Sequence, residues 1–493
     1  MRLYPHLYEI NTQLFLNRLS AGDNAAPLLT ELPDDIWKAF SARGFDLVWL
    51  MGVWKRSPAS RQEALRAKGL RERYDVVLPG WKNDDVTGSP YAVYEYNLDP
   101  LFGPQDGLRN LRTQLNQNNL GLILDFVPNH FSRDNQWTMS HPAYFVRGSK
   151  EDAAEFPGSY FSPHEDIYIA HGKDPNFPPW NDTAQVNIFS VSLRKALINI
   201  LQQIADQADG VRCDMAMLLL NDVFERTWGN QLKRFRRPDT EFWIEAIEKV
   251  KEQHPDFIFI AEAYWGLEMQ LQQAGFDFIY DKTFYDRVRF STAGDILAYL
   301  RTHNPLEHHS VCFIENHDEQ RAVTAFGRER SMAAAVIVMT LPCLRLVFDG
   351  QLEGKRIQMP VQLLREPEDA NDPIIGHFYD RLLPICDQDI FHNGTWKLIE
   401  ITAAYEKDVS YTNILAWSWY YNGQVRIVVT NYSPNSARSW IKPQLTIEGD
   451  GTLELEDELT GIKYSRGIAE LREKGLYVDL EPYHSHIFSV NFL

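Results

Sequence analysis

The sequence predicts an α/β fold: a (β/α)8 barrel with a subdomain inserted after strand three and a β-sandwich at the C-terminal end. Three observations predict it. From residue 7 to about 390, short apolar runs alternate with amphipathic stretches, the pattern of a parallel sheet covered by helices on both faces. The apolar runs number eight, enough to close such a sheet into a barrel. Beyond about 390 the helical period gives way to short strand-like runs with turn signals between them.

The eight runs are 7–13, 46–54, 120–127, 210–215, 257–262, 276–281, 310–316 and 344–348, and the stretches 106–119, 193–208, 241–253 and 329–341 read as helices between them. In 193–208, Leu193, Leu197, Ile200, Leu201 and Ile204 fall on one face, with Arg194, Asn199 and Gln202 off it. Ser192 is placed to cap that helix. One connection breaks the rhythm. Residues 128–191 are rich in Pro, Gly, Asn, Asp and aromatics, and a loop that long is usually functional. Its aromatics Trp137, Tyr144, Phe145, Tyr160, Phe161 and Trp180 are expected mainly to pack a small core, with stacking on sugar rings as the other use. Past 390, Trp396-Lys397-Leu398-Ile399, Leu415-Ala416-Trp417-Ser418-Trp419 and Val425-Arg426-Ile427-Val428-Val429 read as strands without a convincing helix, with turns at Asn393-Gly394 and Asn422-Gly423. These features set the expected division: barrel 1–390, insertion 128–191 within it, and sandwich 391–493.

Composition narrows the function. With 44% hydrophobic and 24% charged residues the chain is an ordinary globular one. Its net charge of −18 argues against nucleic acid or an anionic membrane as partner and suits a neutral substrate. Cys213, Cys312, Cys343 and Cys386 form no CxxC, so neither a disulfide framework nor a zinc site is expected. The start, Met1-Arg2-Leu3-Tyr4-Pro5-His6, has no apolar signal core, and the longest apolar stretch, Met332 to Leu344, is too short to span a bilayer. A cytoplasmic location is expected. Oligomeric state is not legible.

Three acids carry the chemistry. Asp214, Glu262 and Asp318 each stand where an apolar run ends, so each loses water and needs a partner or a task. Two carboxyl groups flanking a bond, with a third nearby, are the equipment for cleaving a glycosidic linkage. Arg212 lies two positions before Asp214, on the same strand face, where its charge favours an ionised neighbour. Glu262 is followed by Tyr264 and Trp265, surroundings that favour a protonated acid. Asp318 follows His317, a pair suited to gripping hydroxyls and stabilising positive charge.

The motifs resemble those of the α-amylase superfamily of retaining glycoside hydrolases and transglycosylases. Asp125-Phe126-Val127-Pro128-Asn129-His130, Gly210-Val211-Arg212-Cys213-Asp214, Glu262, and Phe313-Ile314-Glu315-Asn316-His317-Asp318 match the family motifs in family order, and Pro90-Tyr91-Ala92-Val93-Tyr94-Glu95-Tyr96 resembles the segment after strand two. The resemblance implies Asp214 as nucleophile, Glu262 as general acid/base and Asp318 as transition-state stabiliser. Arg212 would orient Asp214, Tyr91 would stack under the sugar, and His130 and His317 would bond its hydroxyls. Asp125 would support Arg212 from behind.

Departures from the pattern also matter. Met217 and Leu218 stand where many relatives have Lys-His, and Gln185 stands where many have Asp; Asn129 alone keeps an oxygen ligand of the familiar calcium site. Calcium favours several oxygen ligands, so no metal and no cofactor are expected. The leading expectation is hydrolysis of α-1,4-linked glucans or malto-oligosaccharides. A transglycosylase, phosphorylase or isomerase using the same acids is the alternative, and a non-catalytic binding module is a distant third. A metal-dependent hydrolase would need clustered ligands, and His308-His309 is the nearest such cluster, read as a polar surface turn. Linkage type and endo or exo attack stay open.

Overall fold

The computed structural model describes residues 2–20, 26–232, 234–303, 309–445 and 451–492. Its centre is a closed parallel barrel: β1 (His6–Asn11), β2 (Leu47–Met51), β3 (Gly121–Phe126), β4 (Gly210–Cys213), β5 (Ile258–Ala261), β6 (Phe278–Tyr280), β7 (Ser310–Cys312) and β8 (Leu344–Phe348), each beside its neighbour in the chain and β8 beside β1. All eight predicted runs are barrel strands. Most are nearly continuous in apolar residues, as in Leu47–Met51 and Ile258–Ala261, because both faces are covered, one by the barrel interior and one by helices. Leu7, Trp49, Ile123, Ile258, Ile260, Phe278, Tyr280, Val311, Leu344 and Leu346 fill the interior. The alternate residues, such as Val48, Leu122, Val211 and Phe259, pack outward on helices. Gly210 begins β4 where a Cβ would lie 2.6 Å from the Ile258 carbonyl oxygen.

The helix predicted at 193–208 spans Val191–Ala205, and its cap is Ser190, whose hydroxyl accepts from the Leu193 N–H; Ser192 lies inside the first turn. Arg194 is not on the wet face. Its side chain is buried, donating to the carbonyls of Ile188 and Thr240, to Glu245 and to Asn221 Oδ1. A hydrophobic-face count treats every Arg as outward, and cannot see that loop carbonyls await one.

Between β3 and that helix the chain builds two small sheets: His130–Ser132 pairs with Thr183–Gln185, and Ile167–Ala170 sits between Arg147–Gly148 and Tyr160–His164. Phe131, Trp137 and Tyr144 stack edge-on as its core. A second elaboration escaped the sequence reading. After β2 come the helices Pro58–Arg66 and Lys68–Val77, the first capped by Ser57 with Pro58 opening it. They bury only Ser60, Ala64 and Tyr74, so they show no apolar stripe to detect.

Past the barrel, helices Pro373–Cys386 and Asp389–Asn393 lead into a six-stranded antiparallel sheet faced by a three-stranded one, the expected sandwich. Asn393-Gly394 closes a helix instead of a hairpin. Asn422-Gly423 is the tight turn foreseen, with both residues at positive φ as a two-residue hairpin turn requires. One short helix, Ile468–Glu473, does occur here. The strand Ile414–Tyr421 is apolar throughout because both its faces are buried. Ile414 and Ala416 face the sandwich core, while Leu415, Trp417 and Trp419 join the barrel's hydrophobic cluster. The Trp417 and Trp419 indole N–H groups reach Thr340 Oγ1 and Thr340 O at 3.2 and 2.8 Å. All four cysteines are free and buried, and among the described residues no helix is long and apolar enough to cross a membrane.

Candidate active site

Alternation along the strands decides what the barrel mouth contains. Inward-facing Leu7, Ile123 and Ile260 are followed two residues later by Glu9, Asp125 and Glu262, and Gly210 by Arg212. The interior is therefore apolar at depth and charged at the C-terminal rim. A cavity of about 400 Å³ opens there, lined by Tyr91, His130, Asp214, Met215, Glu262 and Asp318 from the strand ends.

Arg212 is the hub. Fully buried, it donates from Nη1 to Asp214 Oδ1 at 2.7 Å, and its Nη2 lies 3.0 Å from Glu262 Oε2. The rings of Trp49, Tyr91 and Tyr280 surround the guanidinium at 5.2, 5.4 and 5.6 Å, a setting in which a cation is favoured. Burial nevertheless dominates both acids. It raises Asp214 above the usual carboxylate range against the pull of Arg212. It also pushes Glu262 up to about 7, with Asp214 and Asp318 adding to the rise and Arg212 opposing it. The aromatic neighbours act differently from expectation: Tyr264 donates its hydroxyl to Glu262 Oε1 at 2.7 Å, while Trp265 is exposed.

Met215 holds the other oxygen. It takes a left-handed conformation (φ 45°) that side chains other than glycine rarely adopt, and in doing so aims its N–H at Glu262 Oε2, 2.6 Å away. Strain of this kind persists where the surroundings over-determine it. Met217 and Leu218 are buried in the turn Ala216–Leu219 and do not line the cavity.

Asp318 is half exposed to the cavity. Burial of the surrounding site would raise its carboxyl, but His317 and Arg212, with Arg73 from the second added helix, hold it down at about 2. His317 Nε2 lies 3.0 Å from Asp318 Oδ2 and 2.8 Å from the Tyr91 hydroxyl, and the Tyr91 ring stacks on the imidazole. Burial lowers His130 to about 4, so it is neutral. Its Nε2 faces the Tyr91 carbonyl at 3.1 Å, an acceptor, so that nitrogen carries the hydrogen. Asp125 does not bond Arg212. It accepts from Gly52 N at 2.6 Å and Trp49 Nε1 at 3.1 Å, and burial lifts it to about 6. Its influence on Arg212 is one of charge across paired strands.

Residues that the sequence reading did not single out form the rest of the wall: Glu63, Ala64, Ala67 and Leu70 from the added helices, Asp182 beside the expected Trp180 from the insertion, and Gln362. The two elaborations are tied together, since Ser60 Oγ donates to Asp182 at 2.6 Å and Ser57 Oγ to Asp134 at 2.5 Å. Trp180 stands 5.1 Å from the His130 ring, on the cavity and outside the small core.

At the family's calcium position Asn129 and Gln185 face each other. Gln185 Nε2 donates to Asn129 O at 2.9 Å and to Asn129 Oδ1 at 3.1 Å. The oxygens that would face a hard cation are thus bonded to an amide, and the pair supplies no carboxylate, so the residues do not fit calcium. His309 is not surface decoration: its Nδ1 lies 2.9 Å from the Asp277 carbonyl. His308 lies outside the described residues.

The α-amylase catalytic-domain family matches residues 44–369, about two thirds of the chain and all but one of the barrel strands. This protein belongs to the α-amylase family. Its relatives include the α-amylase MalA of Haloarcula japonica, 26% identical over 55% of this chain and 38% of that one. They also include an α-1,4-glucan:maltose-1-phosphate maltosyltransferase of Streptomyces coelicolor, 25% identical over 92% of this chain and 63% of that one. The chain thus spans less than two thirds of either relative. A maltogenic α-amylase, AmyB of Thermotoga neapolitana, superposes with a TM-score of 0.70 at 18% identity, covering 99% of both chains. That likeness establishes the fold of this α-amylase family member.

Proposed function

We propose that this protein is a retaining hydrolase of α-1,4-linked glucans or malto-oligosaccharides, with the chemistry in the barrel (1–390, including the 128–191 insertion) and the sandwich (391–493) as support. One observation carries the reading: a single buried guanidinium holds Asp214 and Glu262 side by side, while the site pushes Glu262 up to about 7 and Asp318 down to about 2. Retention wants the two working carboxyls adjacent, about 5 Å apart, and wants an acid that still holds its proton near neutral pH, which the rise of Glu262 supplies.

In that arrangement Glu262 protonates the glycosidic oxygen as Asp214 attacks the anomeric carbon, giving a covalent glycosyl-enzyme. Asp318, ionised, faces the positive charge that develops on the sugar. Glu262, now a carboxylate, takes a proton from water, which displaces Asp214 and leaves the anomeric configuration unchanged. Tyr91 and His130, on the cavity wall, hold the sugar at the cleaved bond, and His317 behind them holds Tyr91 and Asp318 in place.

The maltosyltransferase relatives raise a second reading, transfer from a sugar phosphate. The cavity lining opposes it. Among the described residues, Glu63, Asp182, Asp214, Glu262 and Asp318 line it without a lysine or arginine, and a phosphate leaving group favours cations. Arg73 acts on Asp318 only at a distance. A neutral sugar fits on both sides of the bond.

The test is a proton NMR time course of maltoheptaose with purified protein, using Asp214→Asn as control. New reducing ends appearing first as the α-anomer, with wild type alone, are expected. Redistributed chain lengths without new reducing ends would replace hydrolysis with transglycosylation. β-Anomer first, or undiminished activity in Asp214→Asn, would overturn the assignment of roles.

A further inference from the structure

Glu9 stands outside every motif above and outside the residues that the family matches, yet it is the charged residue that β1 turns inward. It is wholly buried, level with Trp49 on β2 and Phe348 on β8. A carboxyl group at that depth needs a partner. Its Oε1 lies 2.5 Å from His317 Nδ1, and its Oε2 has no hydrogen-bond partner among the described residues. The contact joins opposite sides of the chain, residue 9 to residue 317, and both side chains are closed off from solvent.

We propose that Glu9 is a positioning residue of this site, fixing the orientation of His317 and the proton on its Nδ1 so that Nε2 addresses Tyr91 and Asp318. The inference rests on the proposed function for its consequence, though not for its geometry. A carboxylate accepts and cannot donate, so Nδ1 carries a hydrogen. Nε2 then faces the Asp318 carboxylate at 3.0 Å. A lone pair there would oppose that oxygen, whereas an N–H donates to it. The ring between two acids is therefore an imidazolium, and Asp318 and Glu9 do raise His317 well above the ordinary histidine range against the effect of burial. Steric contact agrees with the charge argument: the ring is held by the face of Tyr91 at 5.4 Å and the edge-on indole of Trp49 at 5.5 Å.

The other charged neighbours do not replace Glu9. Asp125 on β3 and Asp214 after β4 both feel His317, but each is also turned to Arg212. Asp318 opens onto the cavity, where solvent and substrate weaken its hold. Glu9 also acts by charge on Tyr280 and Glu315, raising both, and neither is a cation. Glu9 is thus the solvent-free counter-charge of His317. Through it, Glu9 keeps the Nε2 donor on Tyr91 and Asp318 and helps to keep Asp318 ionised while the sugar carries positive charge.

The experiment compares wild type with Glu9→Gln, an isosteric change, by NMR titration of the His317 imidazole, assigned with His317→Asn. Wild type is expected to stay protonated through pH 8, and Glu9→Gln to lose its proton at least one pH unit earlier. On maltoheptaose, kcat/KM of Glu9→Gln should fall about 10-fold at pH 8, with its alkaline limb shifted by the same amount as the titration. In a His317→Asn background, Glu9→Gln should change kcat/KM less than 2-fold. A loss that is the same at every pH, or the same with and without His317, would mean a purely structural ion pair and overturn the proposal. Should Glu9→Gln fail to fold, wild type alone decides: a His317 titrating near 6.5 would refute it. Inactivity of wild type on every α-glucoside would sink the proposed function while leaving the titration able to judge Glu9.

Discussion

Glu262 shows how a single side chain sets function against stability. Its carboxyl is 3% exposed and raised from 4.5 to about 7. Between those values the folded chain binds a proton that the unfolded chain has released, so stability falls as pH rises through this window. Below about 4.5 the cost is absent; above about 7 it is complete, at roughly 3 kcal/mol. Glu262→Gln removes the titration. Its melting temperature is expected to match wild type near pH 4.5 and to exceed it increasingly up to about pH 7, which thermal denaturation in a pH series would check. The same substitution should slow poor leaving groups more than activated aryl glycosides, since only the former need the proton.

Single elements carry their own energies. In the helix Val191–Ala205 the cap and the buried arginine make separable predictions. Ser190→Ala removes a single acceptor from the helix N-terminus and should cost about 1 kcal/mol. Arg194→Ala strips donors from two carbonyls and an amide oxygen inside the fold, and should cost several times as much. Urea denaturation of the two variants would compare them; equal losses would show that water replaces Arg194. This helix was legible from its apolar period, but its first residue and Arg194's role were not. A cap shifted by two residues leaves the period unchanged, and an arginine is buried by what lies across from it. The helices 58–77 were missed for the converse reason. They lie over the cavity and bury only Ser60, Ala64 and Tyr74, so no continuous apolar stripe entered their sequence.

At the scale of the molecule, barrel and sandwich share one apolar cluster. Trp417 and Trp419 belong to the sandwich strand but are buried against Thr340 and Tyr4 of the barrel side and Phe391 of the helix that joins the two. Trp419→Ala should cost about 3–5 kcal/mol, the range for large buried aromatics, and lower the melting temperature of the barrel along with that of the sandwich. Separate transitions, with the barrel's unmoved, would mean independent units. The Asn129–Gln185 clasp makes a second prediction at this scale. Chelation should leave melting temperature and activity unchanged, and a large drop in either would show that a cation contributes to the site.

The sequence by itself determined the barrel, its strand count, the sandwich, and the rim positions of Asp214, Glu262 and Asp318. Each of these follows from local patterns: apolar runs of strand length, helical periods between them, and side-chain parity. The tertiary structure decided the remainder. That Glu9 meets His317 across more than three hundred residues, that Met215 adopts a left-handed turn to hold Glu262, that Asp125 bonds Trp49 and Gly52, and that Gln185 clasps Asn129 depend on the closure of the ring of strands. Short-range pattern specifies which face a residue takes. Long-range packing alone specifies which charge it faces, and the charge it faces sets where its proton resides.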